Sequence, residues 1–270
     1  MKNSKLRRVL LLLACAVMLV SLSVGATLAY LQSTDSVKNT FTVGQVNITL
    51  DEADVWESVT EDGYPTGTQL GTEKVSTDAV TYPRVKENKY KVYPGMNYDK
   101  DPTVHVTAGS EDCYVGVHIK LNNFANLHSI LPADIGDKQY IGFEDIVLGG
   151  VLEGAVTKQE QKGDYLVYTM NNGTENYQLI QLAGTGDLYV IFTDRQVTLD
   201  AKVDEDLVLF TDIDIPDDWE YEQVSKLNNL EMEIKAYAVQ AEGFANAYKA
   251  LAGGFPEVFD AVDAACAPAN

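Results

Sequence analysis

Stretches in which apolar and polar residues alternate recur along this chain and predict β-strands. The clearest stretch runs from residue 113 to residue 121, and its apolar positions are Cys113, Val115, Val117, Ile119 and Leu121. Residues 231–240 repeat the pattern, with Met232, Ile234 and Ala236 opposite charged residues. A period of two residues is typical of a strand that packs one face against a core.

The spacing of the other strand signals predicts the fold class. These signals are separated by turns rich in glycine, asparagine and aspartate, and they lie at residues 90–93, 104–106, 165–170, 188–193 and 206–210. The turn sequence Pro94-Gly95 ends the first of them. Strands do not alternate with long helices, as they do in parallel α/β enzymes. We therefore predict a mainly β protein, an antiparallel β-sandwich with a few short helices.

Helical spacing is confined to short segments. Residues 123–130 predict one or two turns, and residues 215–230 begin like a helix, with Pro216 and acidic residues ahead of an apolar period. The third segment, residues 243–266, predicts a C-terminal helical region. In it we expect one helix to end before Gly253-Gly254 and a second to begin at Pro256.

Residues 51–90 differ from the rest of the chain. They are acidic and rich in turn residues, and their few apolar positions follow no period. We interpret this region as an acidic insertion or excursion from the sandwich. The remaining organisation is a leader at 1–29 followed by a single secreted domain at 30–270.

The first 29 residues have the pattern of an export signal. A basic segment from Lys2 to Arg8 precedes an apolar run, and small residues follow it up to Ala29. This arrangement predicts a signal helix with cleavage between Ala29 and Tyr30, and cleavage after Ala26 is an alternative. Two other interpretations stay open: an uncleaved membrane anchor, because the apolar run approaches the ~20 residues that span a bilayer, and lipoprotein processing at Cys15.

A strand is predicted directly after the leader, at residues 41–50. Its apolar residues change parity at Gly44, and a β-bulge at that glycine would return all of them to one face. The members of this face, our candidate assembly strand, are Phe41, Val43, Val46, Ile48 and Leu50.

The leader and this strand together resemble the TasA/camelysin family of Gram-positive bacteria. The resemblance lies in residues 25–31 (GATLAYL), in Thr34-Asp35 and in residues 39–44 (NTFTVG), with Ile48 and Leu50 beyond them. It implies a secreted jelly-roll domain on the cell surface or in the extracellular matrix, where it assembles into biofilm fibres. It also implies a SipW-type signal peptidase as the processing partner.

The charge of the chain excludes several partners. The formal net charge is −20, and removal of residues 1–29, which hold four bases and no acids, leaves 16 bases against 40 acids and a net charge of −24. Nucleic acids and anionic membranes both require a basic surface. We therefore expect no nucleic-acid partner, and membrane contact only through an uncleaved signal segment.

No catalytic constellation is visible, so we expect no enzyme activity, cofactor or metal. His105, His118 and His128 lack zinc-site spacing, and His105 and His118, which lie in strand-like runs, are predicted to pair with surface groups. A serine-hydrolase elbow is absent, and a camelysin-like protease activity has no supporting motif. Asp212 and its acidic neighbours up to Asp218 lack the pattern of a calcium loop. Cys113 is predicted to be a buried thiol, while its pairing with Cys266 stays open.

Two functions are consistent with these patterns. In the first, the protein is a structural component of the extracellular matrix or cell surface that forms a homopolymer, with the new N-terminal segment adding as a strand to the next subunit. The candidate donor is the segment from Tyr30 to Leu50. If residues 40–50 are instead a fixed strand of the chain's own sandwich, only residues 30–39 form the mobile arm that donates. In the second, the protein is a monomeric surface adhesion or binding module for carbohydrate or protein, with its site in the loops.

Overall fold

The computed structural model describes residues 13–18, 45–59, 65–70, 83–130, 147–148, 156–171, 173, 175–197 and 201–268. The chain divides into two compact units, Met1–Val43 and Gly44–Asn270. In the first unit, residues 13–18 are helical. No helix in the described part of the chain is long and apolar enough to cross a bilayer. The described part of the second unit is mainly β, as the alternating patterns predict.

One sheet has four strands in the order β13-β6-β1-β4. Their bounds are Ile48–Ala53 for β1, Arg84–Val85 for β4, Thr103–Val106 for β6 and Glu205–Val208 for β13. All of its pairings are antiparallel. The strand β1 lies inside this sheet, between β6 and β4.

The second sheet has six strands in the order β15-β7-β12-β11-β10-β9, and all of its pairings are antiparallel. Its strands are β7 (Cys113–Leu121), β9 (Val156–Lys162), β10 (Tyr165–Asn171), β11 (Asn176–Leu182), β12 (Asp187–Phe192) and β15 (Met232–Gln240). Both long alternating stretches of the sequence lie here, in β7 and β15. These two strands pair along nine residues.

A third sheet, in the order β2-β3-β5-β14-β8, has one parallel pairing, between β3 and β5. Its strands are β2 (Val55–Val59), β3 (Pro65–Leu70), β5 (Asn97–Asp99), β8 (Val147–Leu148) and β14 (Asp212–Asp214). Of the predicted acidic excursion, residues 51–53 and 84–85 belong to the four-stranded sheet, and β2 and β3 form a hairpin. Residues 60–64 and 71–82 lie outside the described residues.

The helices are short, as predicted. They are α1 (Phe124–His128), α2 (Tyr221–Val224), a 3₁₀ helix (Ser225–Leu227), α3 (Ala247–Gly254) and α4 (Pro256–Cys266). Asn246 caps α3, since its side chain accepts a hydrogen bond from the Lys249 amide. Pro256 occupies the first turn of α4, where its missing amide hydrogen costs nothing.

Two apolar cores hold these layers together. The larger contains Val104 and Leu207 from the four-stranded sheet and Val117 and Ile119 from β7, and so fills the space between the sheets. The smaller lies on the other face of the six-stranded sheet, where α3 and α4 cover Ile180 and Ile191 together with their neighbours.

Two sequence predictions are wrong in detail. The glycine pair 253–254, predicted to follow the helix, forms the last turn of α3. The reason is close packing, because a Cβ on Gly253 would lie 2.9 Å from Phe244 Cε1 and one on Gly254 would lie 2.5 Å from Val239 Cγ2.

The predicted strand at residues 90–93 is also wrong, since this segment has no regular structure. The hydroxyl of Tyr98 takes the place of a strand partner. It accepts a hydrogen bond from the Tyr93 amide at 2.7 Å and donates one to the Lys91 carbonyl at 2.9 Å. The Tyr90 ring packs edge-on against the Tyr98 ring, with the centroids 6.1 Å apart.

Candidate functional site

A groove of about 1390 Å³ opens beside the first half of β15. Its lining includes the irregular segment 86–92, the 3₁₀ helix and residues 228–234, which lead into β15. We call this feature the β15 groove.

The β15 groove is apolar at depth. The buried or half-buried apolar side chains that line it are Ile119, Leu121, Leu127, Leu188, Ile215, Val224, Leu227, Leu230, Met232 and Ile234. The Tyr221 side chain, which also lines the groove, is 75% exposed. An apolar side chain inserted here would gain about 1.5–3 kcal/mol from burial.

The outer edge of β15, beside this groove, has no partner among the described strands. The amide of Asn122 donates to the Glu231 carbonyl, and the amide of Ala241 donates to the Asp112 carbonyl. These bonds place the odd residues of β15 in hydrogen-bonded pairs with β7. The N–H and C=O groups of the even residues, Met232 to Gln240, therefore point away from β7, and no described strand pairs with them.

The opposite edge of the six-stranded sheet is protected by charge. It is formed by β9, whose side chains include Lys158, Glu160 and Lys162 and are largely exposed on both faces. Charged side chains on an edge strand oppose pairing with another chain. The even positions of β15, in contrast, place Met232, Ile234, Ala236 and Ala238 against the larger core.

The rim of the β15 groove carries charges of both signs. Lys86, Lys89, Lys91 and Lys120 line it, together with Glu87, Glu231 and Glu233. The Lys86 ammonium donates to the Leu50 carbonyl, and the Lys89 ammonium lies 3.9 Å from the Glu87 carboxylate. The rim is therefore less acidic than the chain as a whole.

The structure locates three residues of the predicted assembly strand. Val46, Ile48 and Leu50 are half-buried and pack on the larger core, alternating with exposed residues. Ile48 and Leu50 are in β1, which pairs with β6, so they belong to a strand of the chain's own sheet. Phe41 and Val43 lie outside the described residues, as do Ala29 and Tyr30 at the predicted cleavage site.

Two histidines pair with surface carboxylates, as predicted. His105 lies between Asp206, 2.5 Å from Nδ1, and Asp51, 2.9 Å from Nε2. Burial opposes protonation of His105, but hydrogen bonds to the two carboxylates outweigh it and raise its pKa. His118 Nε2 lies 2.8 Å from Asp187, and its ring stacks on Tyr189.

The remaining chemical groups are structural. Asn97 donates to Asp212 at 2.9 Å and also to Asp214, so these acids are satisfied by a neighbouring amide. Among the described residues, no cluster of histidine, cysteine and carboxylate side chains is arranged to hold a metal ion. Cys113 and Cys266 are free and buried, and burial raises both thiol pKa values to about 11, which keeps them protonated and unreactive.

Sequence reasoning missed the β15 groove. The alternation in β15 predicted the strand but not its place at the end of the sheet. That place depends on pairing with β7, more than a hundred residues earlier. Comparisons with protein-family models, with curated proteins and with solved structures find no match.

Proposed function

We propose that this chain is a secreted structural protein of the extracellular matrix or cell surface that assembles into fibres by strand addition. The observation that carries the proposal is an edge of β15 that no described strand covers, beside a deep apolar groove. An exposed edge with unpaired backbone groups is a template for another strand. The other edge of the same sheet carries charges that oppose such pairing.

The proposed occupant of the β15 groove is the segment 30–43 of a second copy. Its apolar residues from position 31 onward, Leu31, Val37, Phe41 and Val43, all fall at odd positions, while the even positions from 32 to 42 are polar. In a strand of this segment, all four apolar side chains share one face with Ser33, Asp35 and Asn39, and the other face is wholly polar. The compact β unit begins at Gly44, directly after this segment.

The size of the segment suits the edge. A strand of 14 residues is about 46 Å long, and the nine residues of β15 need about 30 Å. Burying one leucine, valine or phenylalanine side chain yields about 1.5–3 kcal/mol, and backbone hydrogen bonds along the edge would add to this contribution.

Strand addition of this kind is head-to-tail and makes open filaments. Cleavage of the leader by a SipW-type signal peptidase would release the donor segment only after export, which would keep subunits apart inside the cell. Subunits of net charge −24 repel one another, and salt, which screens this repulsion, would favour assembly.

The experiment compares a chain that starts at Tyr30 with one that starts at Gly44. We expect fibres by electron microscopy only from the longer chain. Two matched variants test which face of the donor segment enters the groove. Val37→Lys places a charge on the face that carries the apolar residues, and we expect it to block fibre formation. Ser36→Lys places the charge on the polar face, and we expect fibres to form.

Equal fibre formation by the Tyr30 and Gly44 chains would refute strand addition by this segment. A stable monomer of the Tyr30 chain at high concentration, measured by sedimentation, would instead favour a monomeric binding module for carbohydrate or protein.

A further inference from the structure

A buried lysine, glutamate and asparagine meet beside the four-stranded sheet. Lys100 follows β5 and is 8% exposed, and Glu52 in β1 is 7% exposed. Asn88 belongs to the irregular segment 86–92, and it is half-buried. An amine and a carboxamide are thus held next to a carboxyl group and largely away from water.

The Glu52 carboxylate binds the side-chain nitrogen atoms of both Lys100 and Asn88. The Lys100 ammonium Nζ pairs with Glu52 Oε2, and Asn88 Nδ2 donates to Glu52 Oε1 at 3.0 Å. The same Nδ2 also donates to the Ala53 carbonyl at 2.8 Å, which fixes the orientation of the amide. The nucleophilic nitrogen and the nitrogen that would leave are therefore bound to the two oxygens of a single acid.

Aromatic side chains surround this cluster. Lys100 Nζ lies 5.6 Å from the centroid of the Tyr90 ring, and Tyr98 packs against that ring. Two charges in such a setting cost free energy that only their pairing offsets. The Glu52 carboxylate that contacts the Lys100 nitrogen is placed to accept a proton from it, and the amine is a nucleophile only after it loses that proton.

We propose that Lys100 and Asn88 join in an intramolecular isopeptide bond, with Glu52 as the proton carrier. Lys100 Nζ attacks Asn88 Cγ, the new C–N bond forms, and the Cγ–Nδ2 bond breaks. The lysine nitrogen loses two protons, which pass through Glu52 to Nδ2, and Nδ2 departs as ammonium. Charge and atoms balance, Glu52 is regenerated, and no oxidant or other reactant is required.

Positioning supplies the catalysis in this reaction. Fixed neighbouring groups reach effective concentrations far above those in solution, and a carboxyl group that both removes and delivers protons adds a factor of about 10²–10⁴. The cross-link would close the chain between residues 88 and 100 and fasten the segment that lines the β15 groove. It does not depend on fibre assembly.

The test is peptide mapping by mass spectrometry on the full chain, expressed with its own leader and purified in folded form. We expect a branched tryptic peptide that joins residues 87–89 to the peptide containing Lys100, lighter than the sum of the two by one ammonia molecule. A succinimide at Asn88 also loses ammonia but leaves the peptides unbranched. Linear peptides from the folded wild-type protein would overturn the proposal.

Variants assign the roles. Lys100→Arg and Asn88→Ala abolish the branched peptide, and Glu52→Gln reduces its yield at least ~10-fold. Asn88→Asp retains the branch but loses water in place of ammonia. The exposed neighbour Lys89→Arg is the matched control and retains full cross-linking. Circular dichroism establishes that each variant is folded, and an unchanged branch in folded Glu52→Gln would contradict the role of Glu52.

Discussion

At the scale of single residues, the charged groups of the four-stranded sheet form a connected cluster. His105 in β6 bridges Asp51 in β1 and Asp206 in β13, and Arg84 in β4 bonds Asp51 and Asp101 at 2.6 Å each. Burial would raise the pKa of Asp51, but hydrogen bonds from Arg84 and His105 outweigh it and lower the value. The cluster thus connects all four strands of the sheet.

This cluster predicts a pH-dependent stability. The folded-state pKa of His105 is raised above its unfolded value of 6.5. The stabilisation from protonated His105 is therefore complete below the unfolded pKa and is lost as the pH rises through the folded pKa. We expect His105→Asn to reduce the free energy of unfolding by about 1–2 kcal/mol at about pH 6, and by less at about pH 9.

Urea unfolding of the wild type and the variant at both pH values measures this difference. The pKa of Asp51 is lowered by its hydrogen bonds to Arg84 and His105, so its charge does not change over this range and the difference reports on His105. A larger effect of the substitution at the higher pH would contradict the account.

Residue chemistry was predictable from sequence only in part. The alternation around His105 and His118 placed both histidines in strands, and their pairing with surface groups is confirmed. Their partners had no local signal, because Asp206 lies 101 residues from His105. The same limit applies to Lys100, Glu52 and Asn88, which meet only once the sheets have formed.

At the scale of elements, the two edges of the six-stranded sheet differ in the way that strand addition requires. The β9 edge is charged and exposed, whereas β15 combines a free row of backbone groups with apolar side chains against the core. The proposal therefore assigns the acceptor role to β15.

A proline in β15 tests this assignment. The amide of Ala236 points away from β7, so Ala236→Pro removes a donor from the free edge without breaking the ladder to β7. We expect unchanged far-ultraviolet circular dichroism and a fall in fibre mass of at least ~10-fold. Ala236→Ser, which keeps the amide hydrogen, is the control and forms fibres. Normal fibres from a folded Ala236→Pro protein would exclude β15 as the acceptor.

Element prediction succeeded where apolar residues follow a simple period along the sequence. The residues from Cys113 to Leu121 alternate because one face meets the larger core, and the strand is found where predicted. The prediction failed where contacts with side chains from other parts of the chain determine the backbone conformation. The Tyr98 hydroxyl bonds the Lys91 carbonyl, which therefore does not pair with a strand. Val239 packs against Gly254, where a side chain would not fit, and this glycine is the last residue of α3.

At the scale of the whole molecule, the proposed assembly depends on a balance between charge repulsion and one specific contact. With the leader removed, the net charge of −24 would oppose non-specific association. In the proposed fibre, the apolar interior of the β15 groove would provide the specific contact for the donor segment.

Hydrogen exchange along β15 tests this central claim most directly. In the chain that starts at Gly44, the amides of Met232, Ile234, Ala236 and Ala238 face no described strand, while the odd amides are bonded to β7. In fibres of the chain that starts at Tyr30, we expect exchange of these even amides to slow at least ~10-fold. The odd amides would change little. Fibres in which the even amides exchange as fast as in the unassembled chain would contradict strand addition at β15.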